Sequence, residues 1–140
     1  MTKADIMTRW FEEVWNQGLE ATIYELCDPG VILHGGGPEP RIGVEAVRSF
    51  WESIRTQFPG VRVEVEEVIE SPAGAACRSY SKIPHPDTGE IITLRGSTFA
   101  TIQEGRFVEV HDIWDYSTLL EAMGSAPQDA VAGLFKGSSH

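Results

Sequence analysis

The stretch GRFVEVHDIWDYSTLLEAMG, residues 105–124, places an aspartate inside an apolar segment with the alternation of a β-strand. In an extended strand every second side chain lies on the same face, so Asp112 shares a face with Val110 and Trp114. His111 lies on the other face. Because an unpaired buried charge is costly, Asp112 needs water, a partner or a chemical task. Apolar neighbours would raise its pKa toward the range that acid–base catalysis uses.

The residues alone leave two interpretations of Asp112 open. The carboxylate could act on a ligand in a cavity, or it could cap a loop or pair with an arginine such as Arg78 or Arg95. The opposed directions of His111 and Asp112 argue against a catalytic dyad or a metal site, unless a β-bulge redirects one of them.

Length and composition predict one soluble domain. The 140 residues fit a single domain, and the four tryptophans and six phenylalanines can supply its core. The formal net charge of −10 would repel nucleic-acid phosphates and anionic membranes. No run of about 18 apolar residues and no leader-like apolar region is present. We therefore expect a cytoplasmic protein without nucleic-acid or membrane partners, in which Cys27 and Cys77 are buried free thiols.

The hydrophobic periodicity predicts helices first and strands afterwards. Amphipathic helical spacing covers residues 4–17, 19–27 and 44–58. Strand patterns follow, with a reversal of phase that predicts a bulge near Glu66 and Glu67. The predicted strands are residues 31–34, 61–69, 75–83 and 90–103 and the segment that carries Asp112. Thr118 and Glu121 form a candidate capping box for a short last helix.

These elements predict an α+β fold, in which a cone-shaped, bent antiparallel sheet carries three N-terminal helices on its concave face. Its inner end would form a pocket. We expect one domain over 1–124, a C-terminal extension over 125–136 and the remnant of an expression tag over 137–140. The extension is too apolar for an idle tail and could cover a neighbour or the pocket mouth; its apolar residues are Ala130, Val131, Leu134 and Phe135.

The order of elements and four segments, RWFEEVWNQG, ELCDPGVILHGG, FPGVRVEVEEVIE and GRFVEVHDIWDYSTLLEAMG, resemble a SnoaL-like polyketide cyclase domain of the nuclear transport factor 2-like superfamily. The resemblance extends from about Met7 to Gly124. Its most typical parts are the WNxG ending of the first helix and the WD that precedes the Leu-rich last helix.

The resemblance implies a cofactor-independent enzyme of the lyase or isomerase class. In these cyclases an aspartate on the last strand is the general acid–base of an intramolecular aldol condensation, without metal or cofactor, and it aligns with Asp112. The family's asparagine on the first strand falls near Leu33, one step from His34, and its histidine on the penultimate strand falls near Thr98. The groups that orient the natural substrate therefore differ in this chain.

The expected ligand is a small hydrophobic or aromatic carbonyl compound. Each apolar candidate for its binding site could instead be core packing, which we favour for Val14 and Phe50. The candidate substrate-binding residues are Trp10, Val14, Leu33, His34, Phe50, Trp51, Tyr80, Thr98, Phe99 and Trp114.

Other functions of this fold remain open. A ketosteroid-isomerase-like enzyme or dehydratase would need a buried tyrosine or protonated acid as hydrogen-bond donor, and Tyr80 is a better candidate than Tyr24 or Tyr116. An epoxide hydrolase would need an arginine flanked by two aspartates around a water. Arg95 is followed by Gly96 and Ser97, so the second aspartate is missing. A noncatalytic protein that binds small hydrophobic ligands is the remaining alternative.

A homodimer is the expected assembly. Open sheets of this kind usually pair back to back, and we expect Val68, Ile83 and Ile113 on the outer face.

Overall fold

A six-stranded sheet curls around three helices and positions the last strand against them. The computed structural model describes residues 1–127 and 130–135. The helices are α1 (Lys3–Arg9), which continues as a π-helical segment (Trp10–Asn16), α2 (Glu20–Leu26), α3 (Val44–Gln57), α4 (Tyr116–Ala122) and α5 (Ala130–Phe135). The strands are β1 (Cys27–His34), β2 (Arg41–Ile42), β3 (Arg62–Glu70), β4 (Gly74–Pro84), β5 (Ile91–Gln103) and β6 (Arg106–Trp114).

The strand order is β2-β1-β6-β5-β4-β3. Strands β3 to β6 form the predicted antiparallel meander, so the α+β class with a bent, mostly antiparallel sheet is confirmed. Strand β1 instead runs parallel to β6, and the short β2 has no counterpart in the sequence prediction. The direction of β1 relative to β6 depends on how the end of the meander packs back against β1, about 75 residues later in the chain, which local periodicity does not encode.

The first helix begins with a capping box, in which Thr2 accepts a hydrogen bond from the backbone of Asp5 and Asp5 accepts one from the backbone of Thr2. It ends at Gly18, whose φ of +72° suits a residue without a Cβ. Its apolar side is buried on the inner face of the sheet. The buried residues of this side are Ile6, Met7, Trp10, Phe11 and Val14.

Two local predictions are confirmed and one is wrong. The register of β3 shifts between Val65 and Glu67, at the position of the predicted bulge. Both buried cysteines are free, and burial raises the pKa of Cys27 to about 12 and that of Cys77 to about 11. The predicted capping box is wrong, because Asp115 caps α4 by accepting a hydrogen bond from the backbone N–H of Thr118 at 3.2 Å.

The outer face of the sheet differs from the expected dimer surface. Ile83 is only 5% exposed, because its position in β4 turns the side chain inward. Val68 packs against the core, whereas Ile113 is 69% exposed. Among the described helices, none is both long and apolar enough to cross a membrane.

Two apolar side chains of the C-terminal extension lie on the surface. Leu134 and Phe135 in α5 are 71% and 86% exposed, so they do not cover the interior of the domain. The expected tag remnant at 137–140 lies outside the described residues. The division into a domain and an extension stays a prediction.

Candidate functional site

Strand β6 directs Asp112 toward the helices, as its alternation predicts. Val110 and Trp114 lie on the same inner side, whereas His111 and Ile113 are exposed on the outer side. Thr98 on β5 pairs with Asp112 in the register of the sheet. Its hydroxyl donates a hydrogen bond of 2.6 Å to Oδ1 of the carboxylate. Thr98 is 1% exposed, so this contact is built into the core.

The side chain of Asp112 lines an apolar cavity of about 80 Å³. Ser81 and Tyr116 add hydroxyl groups to its wall. The apolar wall consists of Phe11, Trp15, Phe50, Ile54, Phe58, Val61, Val63, Ile83, Leu94, Trp114 and Leu119.

A second, smaller cavity of about 20 Å³ also reaches Asp112. Trp15 and Phe50 line both cavities, and their rings pack edge to face with centroids 6.4 Å apart. The other residues of the second cavity are Trp10, Cys27, Val31, Leu33, Val47, Trp51, Phe107 and Val110. Asp112 therefore borders two apolar cavities.

Burial raises the pKa of Asp112 to about 6, although the hydrogen bond from Thr98 lowers it in part. The alternative of an arginine partner is not realised within the described part of the chain. Arg78 pairs with Glu66 and Glu67 instead, on the outer face of the sheet. A carboxyl group with a pKa near 6 can both accept and donate a proton near neutral pH.

Tyr116 brings a phenol into the same cavity as this carboxylate. Burial, together with the charge of Asp112, raises the pKa of Tyr116. Its hydroxyl donates a hydrogen bond of 2.8 Å to the carbonyl of Gly35. The sequence favoured Tyr80 for such a role, but Tyr80 lies on the outer face, between the inward-facing Ser79 and Ser81.

Six of the ten predicted substrate-binding residues lie at the cavities or at the carboxylate. Thr98 contacts Asp112 directly, and the other five line the cavity walls. These five are Trp10, Leu33, Phe50, Trp51 and Trp114.

The other four predicted residues lie elsewhere. Val14 is fully buried in the core, and its carbonyl accepts a hydrogen bond of 2.8 Å from Trp51 Nε1. His34, Tyr80 and Phe99 lie on the outer face, because each alternates with an inward-facing neighbour on its strand. Phe99 is 56% exposed and cannot contribute to the apolar wall.

Several cavity residues were missed by the sequence analysis. Strand alternation could have identified Ser81, Ile83 and Leu94 as inward-facing, and helical spacing could have identified Ile54. The sequence ranks Tyr116 below Tyr80 as a donor and does not indicate Leu119. No local pattern places either residue at the cavity, because their position depends on how α4 folds back over the sheet. The remaining missed residues of the first cavity are Phe11, Trp15, Phe58, Val61 and Val63, and those of the second are Cys27, Val31, Val47, Phe107 and Val110.

Two glycines allow close approaches around the site. Gly35 has a φ of +95°, and a Cβ there would lie 1.9 Å from the carbonyl oxygen of Asp112. A Cβ on Gly96 would lie 2.1 Å from the ring of Trp114. Gly35 thus lets the backbone pack closely against Asp112, and Gly96 makes room for the Trp114 ring in the cavity wall.

Comparisons with solved structures show the same fold in proteins of low sequence identity. IdmH of Streptomyces antibioticus, a proposed polyketide cyclase, has a TM-score of 0.80 and 23% identity over 89% of this chain and 99% of its own. A proposed SnoaL-like polyketide cyclase from Jannaschia sp. CCS1 has a TM-score of 0.76 and 20% identity over 89% and 93%. TerC, co-crystallised with polyporic acid, has a TM-score of 0.75 and 17% identity over 87% and 98%.

The comparison with curated proteins gave no match. The sequence profile of the SnoaL-like polyketide cyclases matches residues 5–123, which is most of the chain. This match includes β6 with Asp112 and the helices that enclose the cavity. The chain therefore belongs to the SnoaL-like polyketide cyclase family.

Proposed function

We propose that this protein is a cofactor-independent enzyme in which Asp112 is the general acid–base for aldol or proton-transfer chemistry on a small hydrophobic carbonyl compound. One observation carries the proposal: the side chain of Asp112 lines an apolar cavity. Burial there raises the pKa of Asp112 to about 6, although Thr98 donates a hydrogen bond to its carboxylate. General acid–base groups are most effective when their pKa lies near the working pH.

The aldol reaction needs two proton transfers, and one carboxyl group can perform both. The Asp112 carboxylate removes a proton from a carbon next to a carbonyl group, which leaves an enolate and a neutral carboxyl group. The enolate carbon then attacks a second carbonyl carbon of the same molecule, and the new C–C bond produces an alkoxide. Asp112 returns its proton to that alkoxide. The cavity wall supplies proximity by folding the substrate.

Thr98 positions the base. Its hydrogen bond to Oδ1 restrains the carboxylate, which leaves Oδ2 for the substrate. Since the hydroxyl also stabilises the charged form, it keeps the pKa of Asp112 from rising further above its ordinary value.

The size of the cavity favours a small substrate. Its volume of about 80 Å³ is well below the roughly 300–1,000 Å³ of ordinary ligand pockets. A ligand with several rings would have to displace part of the cavity wall. Trp114 and Leu119 are the wall residues we expect to move, because both are only half-buried. TerC, which has this fold, was crystallised with polyporic acid, which supports a small organic molecule as the kind of ligand.

Tyr116 favours a second candidate, an isomerase or dehydratase. Such an enzyme needs a donor that stabilises an enolate oxygen while a carboxylate moves the proton. Tyr116 lines the same cavity as Asp112, although it is 44% exposed, and its hydroxyl could exchange its bond to Gly35 for one to the substrate. Both candidates use the same base and differ in whether a C–C bond forms.

The pH dependence of turnover tests the proposal. For small diketones and aromatic polyketide carbonyl compounds, we expect kcat/KM to fall about tenfold per pH unit below about 6, because the base becomes protonated. Thr98→Val removes the hydroxyl that stabilises the charged carboxylate, so this fall should begin at a higher pH. The measurement is a rate profile of both proteins from about pH 4 to 9, restricted to the pH values at which circular dichroism shows both proteins folded.

Two results would contradict the enzymatic proposal. One is the absence of turnover for every compound that binds, which would favour the noncatalytic binding protein. The other is a rate profile whose acid limb is the same in wild type and Thr98→Val.

We also propose a homodimer formed through the outer face of the sheet. Ile113 supports it, because this large apolar side chain is 69% exposed and shares the outer face with the exposed Phe99. Light scattering should then give twice the chain mass for the wild type and a lower mass for Ile113→Asp. A monomeric wild type at micromolar concentration would refute this assembly. The cytoplasmic location stays a prediction.

A further inference from the structure

Two histidines and one glutamate meet on the outer face of the sheet, on the side opposite the cavity. Strand β1 pairs with β6 in a register that places His34 beside His111 and Ile32 beside Glu109. His34 Nε2 lies 2.8 Å from Glu109 Oε2, and His111 Nε2 lies 3.7 Å from the same oxygen. The cluster therefore results from strand pairing and not from a chance meeting of mobile loops.

The three side chains offer a donor set that late first-row divalent metals prefer. Each provides one ligand atom, and these atoms all lie within 4.8 Å of one another. A tetrahedral zinc ion, about 2.0–2.2 Å from nitrogen and oxygen ligands, holds them roughly 3–3.5 Å apart. The three ligand atoms are thus close enough to meet one ion once the side chains rearrange. Two imidazoles and a carboxylate suit Zn²⁺, Fe²⁺, Ni²⁺ or Cu²⁺ better than Mg²⁺ or Ca²⁺.

The present arrangement of the rings defines what must move. His34 and His111 stack with centroids 4.3 Å apart and planes only 6° apart. The nitrogen lone pairs of parallel rings do not converge on one point, so at least one ring must turn when a metal binds. In the single chain the side chains of His34, Glu109 and His111 are 34%, 42% and 53% exposed, which leaves room for this turn. In the proposed dimer the site would lie beside the interface, because His111 pairs with Phe99 in the sheet.

We propose that His34, Glu109 and His111 form a binding site for one divalent transition-metal ion, such as Zn²⁺, with water in the remaining coordination positions. The net charge of −10 favours the approach of a cation. The bound ion would link β1 to β6 across the parallel strand pair. Because His111 directly precedes Asp112, it would also fix the strand that carries the proposed base. The metal itself lies on the other side of the sheet and takes no part in the proposed reaction.

Calorimetric titration of the full chain with ZnCl₂ tests this site. We expect saturable binding of one ion per chain. We expect each of three variants, His34→Asn, Glu109→Gln and His111→Asn, to weaken binding by about tenfold or more. Loss of a residue that only hydrogen-bonds to a metal ligand already lowers metal affinity by about 10–100-fold. Titration with MgCl₂ should give no saturable binding. Thermal unfolding should show a higher Tm with Zn²⁺ in the wild type and a much smaller increase in His111→Asn.

Two histidine variants outside the cluster serve as controls. His85→Asn changes a loop histidine whose Nδ1 accepts hydrogen bonds from the backbone of Asp87 and Thr88. His140→Asn removes the histidine of the terminal GSSH sequence. Neither should change zinc affinity. The proposal is overturned if the wild type shows no saturable binding, if the His34→Asn/His111→Asn double variant binds as tightly as wild type, or if His140→Asn alone abolishes binding.

Discussion

Replacement of Asp112 by asparagine should lower turnover by about 10²–10⁴-fold, the usual contribution of a general acid–base group. Asparagine has nearly the same shape and can still accept the hydrogen bond from Thr98. It cannot exchange a proton with the substrate at neutral pH. Binding of a nonreactive ligand, measured by calorimetry, should therefore change little.

The same substitution should make the protein more stable at neutral pH. The pKa of Asp112 is about 6 in the folded protein, compared with an ordinary value of 3.8. Between these values the folded state binds more protons than the unfolded state, so stability falls as the pH rises. Because Asp112 is only half-buried by its accessible surface, the difference corresponds to about 1–3 kcal/mol above pH 6. Asp112→Asn removes this cost, which should raise Tm by roughly 3–10 °C at pH 8 and much less at pH 4.

Asp115→Asn is the matched control for this stability change. Asp115 lies three residues later, where hydrogen bonds from Thr118 and Ser117 lower its pKa. Its charge therefore stabilises the folded state above its folded pKa, and asparagine should not raise Tm at pH 8. Two results for Asp112→Asn would contradict our interpretation. These are turnover close to that of the wild type, or a Tm difference that is the same at pH 4 and pH 8.

Gly35→Ala should be the most destabilising single-methyl substitution near the site. Its φ of +95° is unfavourable for alanine, and the new Cβ would lie 1.9 Å from the carbonyl oxygen of Asp112. Backbone cannot move aside as a flexible side chain can. We expect a loss of about 3–5 kcal/mol in the free energy of unfolding, measured by urea denaturation.

Gly37→Ala separates the two causes of this loss. Gly37 also has a positive φ, +124°, but the atom nearest to a Cβ at this position would belong to the side chain of Arg41, at 3.6 Å. This variant should lose only the roughly 1–3 kcal/mol of backbone strain. Equal losses in the two variants would show that the close approach of Gly35 to Asp112 contributes nothing to stability.

Strand alternation explains both the successes and the errors in predicting the site. It correctly directed Asp112 inward and His111 outward, because the period of two is fixed by the pleat. The same rule excludes neighbours from sharing a face. Leu33 and Thr98 lie inward, so His34 and Phe99, each one residue later, lie outward.

Features that depend on distant contacts could not be predicted from local patterns. The parallel pairing of β1 with β6 creates the His34–Glu109–His111 cluster from residues about 75 positions apart. Tyr116 reaches the cavity only because α4 begins directly after β6 and Asp115 fixes its first turn. The sequence contains these residues, but only the fold defines their neighbours.

The proposed catalytic group is therefore also a stability cost. An apolar wall that raises the pKa of Asp112 disfavours the charged carboxylate, and the hydrogen bond from Thr98 offsets only part of that cost. Proteins commonly accept such a cost where a reaction requires it.

A pH titration of the Asp112 carboxyl carbon by ¹³C NMR is the most direct test of this account. The resonance, assigned by its loss in Asp112→Asn, should titrate with a midpoint of about 6 and move to a higher midpoint in Thr98→Val. A midpoint near the ordinary value of 3.8 would contradict the central claim, because the cavity would then not control the proton of Asp112.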